Sequence, residues 1–308
     1  MREHIDELLI LCVSLIFGFS YSAQSMGAQY VPAFSFNVAK NIIAFVSLLI
    51  ICLIRNKKSN NIKKAFIFGA IIAVDLTLFS YLQQVVALDN APGKTGFITS
   101  MYIIEVPFLS FVFFKKKINP QVIISLVFAV SGLVLLCDIS NFTIKLNDIL
   151  TIICSLCLSV QILILSKYCG DVDSIELSMF ISLFTGLFSF IGALLSKEQF
   201  NIIAYRQAIL PLLYVGIVCA AIGVSLQAYA QKTLDETTAS LILSLESLFS
   251  VFAGYLLLDV SLSKKELIGC VLMFIAVVMC VTADKKKKNW CSSFIMLIDR
   301  MSYWYHHE

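Results

Sequence analysis

Four ionisable side chains stand inside long apolar stretches of this sequence: Lys40, Asp75, Glu105 and Glu246. Taking one charge to the middle of a lipid bilayer costs about 2.5–3.5 kcal/mol on insertion scales, and four facing lipid would cost on the order of 10–14 kcal/mol, as much as the whole stability of a domain. Each therefore needs a partner, a proton or a water-filled cavity. Glu246 is the plainest case, near the middle of TTASLILSLESLFSVFAGYLLL (residues 237–258). Asp75 and Glu105 are also far from the ends of their segments, and for these three carboxylates a place on a cavity wall competes with a structural ion pair. Lys40 lies about one helical turn from the end of its segment, where it can either snorkel to the interface or line the same cavity.

Neutral polar residues extend the candidate set. Gln83 and Gln227 lie near the ends of apolar segments, and Gln161, Asn37 and Gln24 lie in others. Such side chains act either as hydrogen-bonding glue between helices or as ligand contacts. Tyr102 lies about one helical turn before Glu105. Pro107 follows closely, removes a backbone hydrogen bond, and should bend the helix beside that carboxylate. Ser182, Gly186, Ser189 and Ala193 read as a helix-packing surface and nothing more. Other chemistry is poorly supplied. His4, His306 and His307 all lie outside the apolar segments, so neither a zinc protease nor a Ser-His hydrolase can be assembled within them. Cys154 and Cys157 form a C-x-x-C without a second ligand pair. No metal, cofactor or enzymatic activity is expected.

The elements that must position these residues follow from composition. The chain is 59% hydrophobic and 14% charged, against roughly one-half and one-quarter in soluble globular proteins. Charges gather in short runs between apolar segments of about twenty residues that lack period-2 alternation, which indicates membrane-spanning helices and excludes a β-barrel. Ten spans are expected, at 7–25, 36–54, 65–86, 95–114, 120–137, 148–167, 174–195, 208–230, 237–258 and 265–282. With the N-terminus inside, fifteen Lys and Arg fall on the inner side, including the Arg55–Lys64 loop, Lys115–Lys117 and Lys285–Lys288, against six outside. Both termini are therefore predicted cytoplasmic. Glu3, Asp6 and Glu7, and the want of a small-residue cleavage site, make residues 8–19 part of a permanent span rather than a secretory signal. In the tail, 289–308, Trp290, Phe294, Leu297, Ile298, Met301 and Trp304 are spaced for one helical face. That pattern fits either an amphipathic helix on an anionic inner leaflet or a frayed tail with aromatic residues.

Shifted by 144 residues, the chain overlays on itself without gaps from the third span to the fifth. Leu82-Gln83 falls on Leu226-Gln227, TGFITSMY (95–102) on ASLILSLE (239–246), and Phe108, Val127 and Val134 on Phe252, Val271 and Val278. An odd number of spans per repeat sets the second half upside down relative to the first, an arrangement of secondary transporters whose substrate sites lie near the midplane at the repeat interface. Tyr102 and Glu246, equivalent under the shift, would then face each other across a pseudo-twofold axis.

Three stretches carry a wider resemblance: SLIFGFSYSAQ (14–24), LQQVVALDNAPGKTGFITSMYIIEVPFLSFVFF (82–114) and LYVGIVCAAIGVSLQAYAQKTLDETTASLILSLESLFSVFAGYLLLD (213–259). They resemble the first helix, the third-to-fourth helix unit and the eighth-to-ninth helix unit of the EamA-type transporters of the drug/metabolite transporter superfamily. The resemblance extends to about residue 282 and implies an all-α, polytopic membrane protein of ten transmembrane helices. These would form two inverted five-helix repeats, residues 1–140 and 141–284, followed by a basic, amphipathic cytoplasmic tail, 285–308. Lys40 stands where many relatives have arginine, Ser247 where many have proline, and Lys115–Lys117 replaces a usual Gly-Glu ending. Glu105 is not part of the resemblance, so its role rests on the residue alone.

On this reading the protein is a secondary transporter of the cytoplasmic (inner) membrane, moving a small metabolite by alternating access of the two repeats, in the direction of export. The expected substrate-binding residues are Glu246, Tyr102, Glu105, Asp75, Gln83, Gln227, Lys40 and Gln161. Three carboxylates against one lysine bias such a cavity negative, so that it admits an amino acid, a related zwitterion or a cation, or holds one exchanging proton. The expected partners are that metabolite, protons and the lipid bilayer, with no nucleic acid. Two alternatives stand beside it: a nucleotide-sugar-type antiporter, weakened because phosphate calls for several central cations, and a non-transporting membrane scaffold or sensor.

Overall fold

Hydrocarbon offers no partner to a backbone N–H or C=O, so apolar segments must close their hydrogen bonds internally. Among the described residues all regular structure is accordingly helical. The computed structural model describes residues 2–56, 61–88, 92–116, 120–136, 146–258, 264–265, 267–280 and 282. The lysine quartet at 285–288 and the aromatic tail at 289–308 lie outside the described residues.

The chain opens with α1 (Arg2–Ala28), α2 (Ala33–Arg55) and α3 (Ile62–Val86). After α4 (Pro92–Thr99), α5 (Tyr102–Phe114) and α6 (Pro120–Leu136), the second half begins with α7 (Leu146–Tyr168) and α8 (Ser174–Leu195). The short α9 (Ile202–Gln207) precedes α10 (Ile209–Leu213), a π-helical segment (Tyr214–Gly223) and α11 (Val224–Ala230). The chain continues through α12 (Glu236–Leu243) and α13 (Glu246–Leu258) to α14 (Leu267–Cys280). Among the described residues, eight helical segments are long and apolar enough to cross a membrane; α6 and α14 are apolar but shorter.

Three expected spans differ from regular helices. The fourth breaks between α4 and α5, and the ninth between α12 and α13, with all four boundaries of the second pair 144 residues beyond those of the first. Serines sit at both breaks. Ser100 Oγ donates to the Gly96 carbonyl (2.8 Å) and Ser244 Oγ to the Leu241 carbonyl (2.7 Å). The backbone tightens to i→i−3 bonds there, Met101 N to Ile98 O at 3.1 Å and Leu245 N to Ile242 O at 3.2 Å. Back-bonding hydroxyls compete with the helical ladder and favour such breaks. Pro107 lies inside α5. The same break occurs in the second half, where Val251 holds the corresponding position, so serine rather than proline is the shared feature. The eighth span departs by its π-helical middle, where Tyr214 Oη donates to the Ile16 carbonyl at 2.9 Å.

Packing joins the two halves of the chain. Helices α2 and α3 lie against α8, α1 against α13, α3 and α5 against α7, and α2 against the π-helical segment. Small residues let backbones approach where lipid supplies no hydrophobic drive between helices. A Cβ on Gly18 would lie 2.4 Å from Phe249 Cβ and 2.8 Å from the Glu246 carbonyl oxygen, and one on Gly96 would lie 2.4 Å from Ser250 Oγ. One apolar cluster joins α1, α5, α12, α13 and α14 through Ile10, Val13, Ile103, Leu241, Val251 and Met273. Another joins α3, α7 and α8 through Ile72, Leu76, Leu165, Leu177 and Ile181. Leu53, Ile54, Phe113 and Leu195 remain exposed, as a lipid-facing surface requires.

Helix ends are tied by charge. Arg55 makes a bidentate pair with Asp173 (3.2 and 3.1 Å), the N-cap of α8. Lys64 pairs with Asp171, and Lys116 with Asp235 and Glu236. The Lys64 ammonium holds the Asp171 carboxyl below the usual carboxylate range. Partial burial pushes Asp173 up, but hydrogen bonds from Arg55 and from the backbone of Glu176 and Ile175 outweigh it and hold it low as well. At the start of α2, Glu198 accepts from Phe34 N (3.2 Å) and Ser35 N (2.7 Å). That carboxylate satisfies free N–H groups at the positive end of the helix dipole.

Candidate functional site

The packed helices leave a cavity of about 700 Å³, open solvent at its mouth included, between α1, α2, α3, α7, α8, the π-helical segment and the first residues of α11 and α13. Glu246 lies on its wall and is 2% exposed, at the point where the ninth span breaks. The break places its carboxylate at the first turn of α13, where N–H groups and the helix dipole favour negative charge. Tyr21 Oη donates to Glu246 Oε1 at 3.2 Å, and Tyr21 also lines the cavity.

Lys40 lines the same cavity at 6% exposure and makes no hydrogen bond or ion pair with any described residue. Of its two sequence readings, snorkelling and cavity lining, the structure places it on the cavity wall. Gln83 and Gln161 are also on the wall, both buried. Ser20, Gln24, Asn41, Ser80 and Thr185 add neutral polar groups. Ser182 is there too, which corrects its reading as packing surface alone. Gly186, one turn on, does pack, since its Cβ would lie 3.3 Å from Asn41.

Four expected site residues lie off the wall. Tyr102 is 1% exposed and close to Glu246 and Tyr21, but it does not line the cavity. Its hydroxyl has no hydrogen-bond partner among the described residues. Glu105 accepts from Ser155 Oγ (2.8 Å) and Ser159 Oγ (2.7 Å), two hydroxyls one turn apart on α7. Asp75 lies beside Cys157, which is also within electrostatic reach of Glu105. Gln227 is buried in α11. The expected excess of three carboxylates over one lysine is therefore corrected. Among the described residues, the cavity wall carries one carboxylate, Glu246, and one cation, Lys40.

Tyr21, like Ser20, Asn41, Ser80 and Thr185, is a wall residue that sequence reasoning missed. Its signal was a phenol in an apolar helix, which equally fits the aromatic belt at a membrane interface. Among the described residues no group of three or more His, Cys, Asp or Glu side chains could hold a metal ion.

Long apolar helices around a cavity that carries charged and neutral polar groups define a polytopic membrane protein. Comparison with known proteins assigns it further. The model of the EamA-like transporter family matches residues 5–137 and again residues 145–282. The chain belongs to that family. It is 25% identical over 274 residues to an uncharacterized transporter of Archaeoglobus fulgidus, covering 89% of this chain and 84% of that one. A protein of known crystal structure shares the fold, with a TM-score of 0.71 at 12% identity over 90% of this chain and 97% of its own. Membership in a transporter family implies transport rather than catalysis.

Proposed function

We propose that the protein is a secondary transporter that carries a small polar metabolite, an amino acid or related zwitterion, across the cytoplasmic membrane by alternating access, in the direction of export. The observation that carries this reading is the cavity itself, with Glu246 and Lys40 both buried on its wall beside neutral amides and hydroxyls. Burying two unpaired charges is expensive, and a solute bearing complementary charge offsets that cost when it binds. The inverted-repeat mechanism draws support from the two separate family matches and from the coincident breaks of the fourth and ninth spans. Broken helices beside a midplane site are a recurring feature of secondary transporters. A nucleotide-sugar antiporter fits less well, because one lysine is a poor match for several phosphate charges.

The test is solute exchange by the purified protein in proteoliposomes. Glu246→Gln should slow exchange at least tenfold, the scale of one lost charge-assisted contact. Exchange by this variant at the wild-type rate would remove Glu246 from the site.

A further inference from the structure

Resting on the alternating-access reading, we infer that the cavity, on turning to the other side of the membrane, replaces Glu246, Gln83 and Cys219 on its wall with Tyr102, Gln227 and Asp75. The carboxylate of the site then passes from the ninth span to the third. As it stands, the cavity reaches within about one turn of the helix ends at Ala28 and Val86, through Gln24 and Gln83. The opposite ends are tied by Arg55 with Asp173, Lys64 with Asp171, and Lys116 with Asp235 and Glu236. The cavity is therefore open towards the first set of ends and shut towards the second.

The internal repeat divides the wall in two. At the offset of 141 residues between the starts of α2 and α8, Lys40 pairs with Ile181 and Asn41 with Ser182. At 144 residues, Leu76 pairs with Ala220. Both members of each of these pairs are on the wall. Glu246, Gln83 and Cys219 instead have counterparts off the wall, namely Tyr102, Gln227 and Asp75. The counterparts of the other unmatched wall residues are apolar or glycine. Inverted halves that trade conformations reverse the facing of the cavity, and each unmatched wall residue then gives way to its counterpart.

The halves already differ at this point. Tyr214–Gly223 is π-helical, whereas the corresponding residues 70–79 lie within the α-helix α3. A π turn holds more residues than an α turn. Both Cys219 and Ala220 reach the wall, whereas of Asp75 and Leu76 only Leu76 does. The groups now turned away also carry unmet polarity. Asp75 Oδ2 and Gln227 Oε1 are buried and accept no hydrogen bond from the described residues, a costly state that a place on a wetted wall relieves. Tyr102 stands beside the Glu246 carboxylate, so the pair that trades places is already in contact. Glu105 pairs with Phe249, which is off the wall as well, and stays out of the site in either facing.

The experiment is side-specific labelling of the full-length protein with an impermeant methanethiosulfonate reagent, in intact cells and in inside-out membrane vesicles, read as added mass. Each protein carries one cysteine in a background with the other native cysteines replaced: native Cys219, Gln83→Cys, Asp75→Cys, Gln227→Cys or Glu105→Cys. Cys219 and Gln83→Cys should gain the adduct from one side alone, the outer one by the loop charges. Asp75→Cys and Gln227→Cys should gain it from the opposite side alone, and Glu105→Cys from neither. Thermal unfolding shows which variants are folded, and Asp75→Cys and Gln227→Cys test the replacement independently of each other.

Either of those two, folded, that gains the adduct from the Cys219 side or from neither side overturns the inference. So does labelling of Glu105→Cys from either side, and so does a failure of both Cys219 and Gln83→Cys to be labelled. Exchange of labelled amino acids by the wild-type protein in proteoliposomes separates this inference from the transport reading. Exchange alongside any of those failures leaves transport standing. No exchange by folded protein, with label reaching the cavity from one side alone, overturns transport as well.

Discussion

Glu246 and Glu105 are both glutamates in apolar helices, and the structure gives them opposite settings. Glu246 lies on the cavity wall beside Tyr21, whereas Glu105 is held by two serine hydroxyls of α7. Removing both hydroxyls with Ser155→Ala and Ser159→Ala would leave the Glu105 carboxylate without donors, which costs about 1–3 kcal/mol or more for a charged acceptor. The double variant should melt at a lower temperature in detergent while its apparent KM for the transported solute stays at the wild-type value. A raised KM would put Glu105 in the site. Depth along a segment was readable for both residues, because an unpaired charge in an apolar run stands out. Facing was not, because these helices are apolar nearly all round and a polar side chain alone does not tell cavity from interhelical contact. Asp75 and Glu105 were placed on the wall for that reason.

Helix breaks and close contacts govern how such side chains are presented. Tyr102 and Glu246 each begin a half-helix, so their direction depends on the breaks at Ser100 and Ser244. Glycine contacts hold the α13 half in place. Gly18→Ala would press on Phe249 and on the Glu246 carbonyl, an overpacking that should cost about 1–3 kcal/mol and slow transport. Gly254 has nothing within 4 Å of an added Cβ, so Gly254→Ala in the same helix should be neutral or stabilise by up to about 1 kcal/mol. Thermal unfolding and solute exchange of the two variants check this contrast. The charged ties at the helix ends predict a pH response of fixed sign. Asp171 and Asp173 have folded values below the ordinary carboxylate value. Their contribution to stability is complete above that value, about 3.9, and is lost as pH falls through the lower folded values. The part of the melting temperature they supply should be flat from about pH 8 to 5 and decline below about pH 4. Asp171→Asn with Asp173→Asn should abolish that decline; an unaltered acid limb would assign it elsewhere.

The bundle as a whole is held by contacts between the first and second halves of the chain, with α2 and α3 on α8 and α1 on α13. The halves are therefore interleaved rather than packed as two separate bodies. Charge bias in the loops sets the predicted orientation, and two residues at opposite ends of the bundle report it. Asn56 follows α2 on the basic side and Lys197 follows α8 on the other. In intact cells, Asn56→Cys should react with an impermeant thiol reagent only after permeabilisation, and Lys197→Cys without it. The reverse pattern would invert the topology. Native cysteines must first be replaced, since Cys12 is exposed.

Solvent chemistry alone dictated much of this molecule. A chain 59% hydrophobic with charges confined to short runs must place its apolar segments in lipid as helices. The cost of charge in hydrocarbon marked Lys40 and Glu246 before any fold was known. The 144-residue recurrence, visible in residue types, paired Ser100 with Ser244, while the breaks at both positions emerged only in the structure. What only tertiary structure decided is which polar groups share a space. Helix rotation and the crossings of α2, α3 and α8 bring Lys40, Tyr21, Gln83, Gln161 and Glu246 to one cavity and turn Asp75, Glu105 and Gln227 away from it. Those rotations are set by small-residue contacts and side-chain shape summed over many neighbours. No periodicity along a uniformly apolar helix encodes them.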